Sequence, residues 1–365
     1  MIEKLVRKEV AGIPAYIPGR GKEEVARLYM INLKDVVKLA SNENPLGPSP
    51  LAVEEIKRIS NRVHLYPDAD ALQLRTKIAA YLGLGRGNVI VGNGSDEVME
   101  LIVKAFLNEG EEAIILPPTF SLYGRLVKLY SGKVVRFPLS KEFSYDIEAL
   151  LEKINRRTKL VFLCSPNNPT GGCVSAGDVK KLLEKGVVVI LDEAYTEFAE
   201  KSNVGLVREY ENIIVLRTFS KAFGLAGLRV GYGVADEKTI GYLTKVKPPF
   251  NVSIISQRAA IRALEDGGHL TRTVDVVKAG RDFLSRELSK IEELKVYPSQ
   301  ANFLFINVES TGMVSGDIAD NLLRLGIIIR DCDSFGLGEG YIRVSVGLME
   351  ENQRFLEGLK KVLNA

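Results

Sequence analysis

The segment Ile213-Ile214-Val215-Leu216-Arg217-Thr218-Phe219-Ser220-Lys221-Ala222-Phe223-Gly224-Leu225-Ala226-Gly227-Leu228-Arg229 decides how the rest of the chain is read. Its first four residues are apolar without interruption, the pattern of a strand covered on both faces. The run ends in two hydroxyls, a lysine and, after a Gly/Ala-rich close-packed turn, an arginine. A lysine between a buried strand and such a turn is an unusual place for a solvated charge, and Thr218, Ser220 and Arg229 are donors suited to a phosphate. Partly desolvated and near other cations, Lys221 is expected to have a lowered pKa and to serve as a nucleophilic amine in Schiff-base chemistry. The plainer reading is a lysine that caps a helix end.

Working outward, similar apolar runs recur at Val89-Ile90-Val91, Ala113-Ile114-Ile115-Leu116, Leu160-Val161-Phe162-Leu163-Cys164, Val187-Val188-Val189-Ile190-Leu191 and Val230-Gly231-Tyr232-Gly233-Val234. Helix-length segments separate them; Val98, Leu101, Ile102, Ala105 and Phe106 follow helical spacing. This alternation predicts an α/β fold, a three-layer, mostly parallel sheet flanked by helices. From about residue 268 the texture changes to a long charged helical stretch through Asp275 to Glu293. Shorter pieces follow at Asn302 to Val308, Ile327 to Arg330 and Tyr341 to Val346, and a closing helix carries Phe355, Leu356, Leu359, Val362 and Leu363 on one face. A second, smaller α+β domain is expected there. The expected division is 1–35 as an arm and part of the small domain, 36–260 as the large domain and 261–365 as the small one.

The chain has 365 residues, 46% hydrophobic and 26% charged, with a net charge of +3. It can bury a large core, which excludes disordered and small disulfide-stapled classes. Charges of both signs are interspersed, so no basic stripe for nucleic acid or a membrane surface is visible. Three cysteines and two histidines, without ligand spacing, predict reduced thiols and no metal. The N-terminus has no apolar signal region and no window approaches ~20 apolar residues, so a soluble cytoplasmic protein is expected.

In open α/β sheets, ligands bind beyond the carboxyl ends of the strands. After Val91 comes Gly92-Asn93-Gly94-Ser95-Asp96-Glu97, a turn that would aim free N–H groups at an anion, or more plainly a helix start with Ser95 or Asp96 as N-cap. After Cys164 comes Ser165-Pro166-Asn167-Asn168-Pro169-Thr170-Gly171, readable as a rigid turn. After Leu191 comes Asp192-Glu193-Ala194-Tyr195: a carboxylate at the end of a buried strand, with a phenol able to reach the same pocket. A buried carboxylate needs a cationic or proton-donating partner, and a structural salt bridge is the alternative.

These motifs, in this order, resemble the fold-type I, pyridoxal-phosphate-dependent aminotransferases. Leu39-Ala40-Ser41-Asn42-Glu43-Asn44-Pro45-Leu46-Gly47-Pro48 and the pair Arg330 and Arg343 look most like the histidinol-phosphate aminotransferase branch. The resemblance implies that Lys221 holds pyridoxal 5'-phosphate covalently and shuttles a proton once freed, and that Asp192 pairs with the pyridinium nitrogen. It implies that Asn168 and Tyr195 bond the ring 3' oxygen. Ser95, Asp96, Thr218, Ser220 and Arg229 would surround the cofactor phosphate, and Phe120 would stack on the ring, where many relatives carry tyrosine. Tyr66 would reach the cofactor phosphate of a neighbouring subunit, making a homodimer part of the site.

Substrate recognition is expected from Tyr16, Asn168, Arg330 and Arg343. The implied reaction moves an amino group between L-histidinol phosphate and 2-oxoglutarate in histidine biosynthesis. Transamination of aromatic or other amino acids, and threonine-phosphate decarboxylation, are the alternatives within the family. A non-catalytic cofactor-dependent regulator would lack the lysine or aspartate, or carry a DNA-binding segment. A nucleotide-binding oxidoreductase is disfavoured because Gly83-Leu84-Gly85-Arg86-Gly87 precedes a strand rather than following one, and reads as a helix-terminating turn. His64 and His269 are read as surface or packing residues.

Overall fold

A computed structural model describes residues 1–13, 15 and 19–364. The strands, in chain order, are β1 (Val37–Lys38), β2 (Val89–Gly92), β3 (Glu112–Ile115), β4 (Lys133–Arg136), β5 (Thr158–Cys164), β6 (Val188–Asp192) and β7 (Ile213–Thr218). They continue as β8 (Gly231–Ala235), β9 (Lys295–Tyr297), β10 (Phe303–Asn307), β11 (Ile327–Ile328), β12 (Arg330–Asp331) and β13 (Tyr341–Ser345). Seven form one sheet in the order β2-β8-β7-β6-β5-β3-β4. All neighbours from β7 to β4 are parallel, while β8 runs antiparallel to both β7 and β2.

Both faces of the sheet's inner strands are covered, which is why those strands read as apolar runs. Side chains alternate between faces, and the alternation is visible in the packing. Val161, Val189, Ile213 and Val215 join one core layer; Phe162, Ile190, Ile214 and Leu216 join the other. Carried one step further, the same parity puts Asp192 and Thr218 on the face of Phe162 and Ile190. Glu193 and Arg217 turn to the opposite face, where Arg217 meets Glu193 Oε2 at 2.8 Å.

The predicted runs all appear as strands; β4, a half-exposed edge strand, and the three-residue β9 were not legible in the pattern. The charged stretch forms a helix over Gly267–Leu288, set off from the helix Ile254–Glu265 by Asp266. The turn at Gly83 ends a helix with φ +65°, as its sequence suggested. A four-stranded antiparallel sheet, β12-β13-β10-β9, lies beyond the long helix. The N-terminal arm contains the helix Lys22–Tyr29, and just beyond it β1 pairs in parallel with β11. This pairing ties the start of the chain to its end, beside a small cluster of Val25, Val36, Ala40, Leu323 and Ile328.

The N-cap reading needs correction. The helix Ser95–Phe106 begins with Gly94 in the cap position at φ +84°, a conformation open to glycine at little cost. Ser95 and Asp96 are first-turn residues instead.

Candidate active site

One cavity of about 710 Å³ lies at the carboxyl ends of the large sheet and reaches the face of the small one. Among its lining residues are Ser95, Asp96, Phe120, Asn168, Asp192, Tyr195, Thr218, Ser220, Lys221, Arg229, Arg330 and Arg343. Two of the residues singled out from sequence are not among them. Tyr66 is 81% exposed and stacks on Phe250 at 4.7 Å, and Tyr16 lies outside the described residues.

Lys221 follows β7 by three residues, and its Nζ donates to the Ser41 carbonyl at 3.1 Å. Burial, reinforced by the charge of Arg343, pulls its pKa down to about 8. Asp192 closes β6 and is 5% exposed. Its partner is not a cation: Oδ2 accepts from the Tyr123 hydroxyl at 2.7 Å and Oδ1 from the Ala194 amide at 3.1 Å. Burial pushes Asp192 up to about 6. The ion pair contemplated from sequence belongs to its neighbour Glu193, on the other face of the sheet.

Tyr195 is buried, and its hydroxyl accepts from Asn42 Nδ2 at 3.0 Å. Asn42 sits at φ +55° and is held on three sides. Its amide donates to Ser345 Oγ at 2.8 Å, its Oδ1 accepts from that hydroxyl at 2.8 Å, and its carbonyl accepts from Asn302 Nδ2 at 3.0 Å. Asn168 Oδ1 accepts from Arg343, whose second Nη donates to the Ala40 carbonyl at 2.6 Å. Asn167 does different work: it accepts from Thr119 at 2.8 Å and donates to the Pro118 carbonyl at 2.9 Å, fixing the turn that presents Asn168.

An anion cradle sits at the start of the helix Ser95–Phe106, where the first amide N–H groups have no partner within the helix. Arg229, at φ +48°, reaches Ser220 Oγ at 3.3 Å and Asp96 Oδ2 at 3.2 Å. Two glycines permit this convergence. A Cβ on Gly94 would stand 2.7 Å from Arg229 Nη2, and one on Gly231 would stand 2.3 Å from the Ser95 amide nitrogen. Thr218 Oγ1 accepts from the Ser220 amide at 3.0 Å, orienting that loop.

On the facing wall, Arg330 and Arg343 are directly opposed partners in the antiparallel pair β12-β13. Opposed residues project to the same face, so the strand register alone delivers two cations to the cavity. Arg343 also lies over the Phe303 ring at 5.2 Å. Asn42 and Tyr123 were not assigned roles from sequence. Asn42 belongs to a quoted motif with no chemistry of its own, and Tyr123 is disguised as an apolar helix position three residues after Phe120.

A lysine of lowered pKa and a buried carboxylate lining one cavity, an anion cradle at a helix start and a mostly parallel sheet define a pyridoxal-phosphate enzyme of fold-type I. The model of the family "Aminotransferase class I and II" matches residues 34–359, and the chain belongs to that family, whose members are pyridoxal-phosphate-dependent transaminases. A histidinol-phosphate aminotransferase of Methanothermobacter thermautotrophicus is 41% identical over 363 residues, 98% of this chain and 97% of its own. One of Methanocaldococcus jannaschii is 42% identical over 372 residues, 100% of this chain and 99% of its own. Among solved structures, histidinol-phosphate aminotransferase from Sinorhizobium meliloti in complex with pyridoxal-5'-phosphate aligns with a TM-score of 0.88 at 26% identity. That alignment covers 98% of this chain and 97% of the other.

The residues present fit the cofactor. The glycine-permitted cradle matches its phosphate. Asp192, buried with a phenol and an amide for partners, is a carboxylate suited to a protonated ring nitrogen.

Proposed function

We propose that this chain is the aminotransferase that exchanges an amino group between L-histidinol phosphate and 2-oxoglutarate, in histidine biosynthesis. The observation that carries the substrate assignment is the register pairing of Arg330 with Arg343 on the cavity wall. One guanidinium serves a carboxylate; a phosphate dianion justifies two. The co-substrate, a dicarboxylate, can reuse the same pair, so the two halves of the reaction need no second pocket. The two relatives named above, similar over nearly the full chain, are histidinol-phosphate aminotransferases.

When bound, the cofactor supplies an electrophilic carbon for amines and a ring that takes up the electron pair left by a broken Cα–H bond. The protein does the rest. Lys221 is half neutral at about pH 8, so its amine can both attack a carbonyl and, once free, carry a proton away from the substrate α-carbon. Asp192 would pair with the ring nitrogen and favour its protonated form. Tyr195, itself fixed by Asn42, and Asn168, whose Oδ1 is already engaged by Arg343, present a hydroxyl and an NH2 group to the ring oxygen. Ser95, Asp96, Thr218, Ser220 and Arg229 would hold the phosphate, and Phe120 would stack on the ring.

The working unit is a cytoplasmic homodimer. Val63, Leu65 and Tyr66 are exposed apolar residues next to one another, and Tyr66 is already ordered against Phe250, which suits a surface covered by a second subunit. Tyr66 would then act in the partner's phosphate site. The expected division, 36–260 for the cofactor domain and 261–365 with 1–35 for the smaller one, is kept with one shift: residues 36–40 pack with the smaller domain, through the pairing of β1 with β11. No helix among the described residues is long and apolar enough to cross a membrane.

The test is a comparison of kcat/KM for histidinol phosphate, phenylalanine, tyrosine and threonine phosphate with 2-oxoglutarate as acceptor. A preference of at least ~10²-fold for histidinol phosphate is expected, since a site built around buried charged groups discriminates strongly against substrates that leave them unpaired. Comparable values for phenylalanine would overturn the assignment.

A further inference from the structure

Tyr123 is fully buried in the core layer that lies behind the cavity, on the face of the sheet to which Asp192 turns. Its hydroxyl donates to Asp192 Oδ2 at 2.7 Å. Its ring stacks on Phe162 at 5.0 Å and 15°, and stands edge-on to Phe120 at 5.7 Å and 86°. It occupies the first turn of the helix Leu122–Leu129, three residues beyond Phe120. One fully buried side chain thus touches both the residue assigned to cover the ring and the carboxylate assigned to its nitrogen.

We infer that Tyr123 is a positioning residue for the cofactor, which sets the orientation and charge of Asp192 through its hydroxyl and the tilt of Phe120 through its ring. The inference rests on the reading of Asp192 as the partner of the ring nitrogen. With the Ala194 amide on Oδ1 and Tyr123 on Oδ2, each carboxylate oxygen has one donor and the group has a single orientation. Hydrogen bonds donated to a carboxylate favour its ionised form, and here they oppose the burial that raises Asp192 to about 6. Tyr123 itself is pushed well above the ordinary phenol range, by burial and then by the Asp192 charge, so it remains a donor at any working pH. Removing the hydroxyl leaves a buried carboxylate with one donor fewer. Such a group takes up a proton more readily and pairs less well with a cationic ring nitrogen.

Tyr123→Phe keeps the ring and deletes only the hydroxyl. The experiment titrates apoenzyme with pyridoxal 5'-phosphate and, separately, with its 1-deaza analogue, which has carbon in place of the ring nitrogen; the readout is the dissociation constant from the absorbance of the bound form. For Tyr123→Phe, a weakening of about tenfold is expected for pyridoxal phosphate, the scale on which outer-shell partners of a ligating group act. Less than twofold change is expected for the analogue. Equal weakening for both, or none for either, overturns the role of Tyr123. Asp192→Asn, measured the same way, reports on the underlying reading: if it too fails to distinguish the two compounds, Asp192 does not partner the nitrogen. If Asp192→Asn distinguishes them and Tyr123→Phe does not, only the inference about Tyr123 fails.

Discussion

Arg343 donates one guanidinium nitrogen to Asn168 Oδ1 and the other to the Ala40 carbonyl, so the residue assigned to the substrate anion also orients the residue assigned to the cofactor oxygen. Asn168 stands beyond the end of β5 in the large sheet and Arg343 in β13 of the small one. The contact therefore spans the two sheets at the cavity wall. With its oxygen engaged, the Asn168 amide can turn only NH2 toward the ring.

Arg343→Lys keeps the charge and loses this geometry. An ammonium group cannot hold Asn168, Ala40 and a substrate anion in a planar fork. kcat/KM should fall by ~10²-fold for both histidinol phosphate and 2-oxoglutarate, a loss of about 2.7 kcal/mol of transition-state stabilisation. Steady-state kinetics with each substrate varied in turn checks this; an effect confined to one substrate would contradict shared use of Arg343.

Arg330 is bound by fewer obligations. With Arg330 assigned to the second charge of the substrate phosphate, Arg330→Gln should lower kcat/KM for histidinol phosphate by ~10-fold or more relative to its effect on 2-oxoglutarate. Equal losses for the two substrates would remove the argument from the paired arginines.

Lys221→Ala should abolish the visible absorption band of the purified enzyme and reduce turnover by at least ~10³-fold, since it removes both the nucleophile and the proton carrier. Full activity in this variant would refute the central assignment. The pH dependence of the wild type carries more information. Only the neutral amine attacks a carbonyl, so the rate at which apoenzyme captures pyridoxal phosphate should rise through about pH 8 and level off above it. Arg343→Gln should move that midpoint upward, because burial is the first cause of the depressed pKa and the Arg343 charge the second. A stopped-flow pH series on the two proteins measures both.

Much of this site is legible from sequence because buried parallel strands announce themselves as apolar runs, and the fold places function where those runs stop. Asp192, Thr218, Ser220 and Lys221 are found in that way. Arg330 and Arg343 are recognisable by family resemblance, but their convergence is a matter of register, which short strands do not disclose. β4 was missed because Lys133 and Arg136 flank only two valines on an exposed edge. Asn42 and Tyr123 escaped for opposite reasons. Asn42 owes its place to a positive φ and three hydrogen bonds, two of them through its backbone, and Tyr123 lies where helical spacing calls for an apolar core residue. The neighbours Glu193 and Arg217 were hidden by adjacency: each stands one residue from a functional position and faces the other way.

That hidden pair yields a prediction about stability. Arg217 is held by Glu193 Oε2, by Ser202 at 2.6 Å and, more loosely, by Glu197 at 3.8 Å, so two buried carboxylates share one guanidinium. Burial pushes Glu197 up to about 7, with Arg217 only partly opposing it. A carboxyl whose folded pKa lies above its unfolded value of 4.5 binds its proton more tightly in the folded state. Its contribution to stability is therefore lost as pH rises from about 4.5 to about 7, and is flat outside that window. Asp192 adds a slope of the same sign between 3.8 and about 6 in apoenzyme. Glu197→Gln should remove the upper part of the slope, so the difference in thermal midpoint between variant and wild type should grow in the variant's favour from pH 5 to pH 7. Arg217→Met, in contrast, strands Glu193 without its cation and should cost ~3–5 kcal/mol at neutral pH. Scanning calorimetry of both apoenzymes across that range decides the matter, and a pH-independent difference for Glu197→Gln would show that Glu197 is ionised throughout.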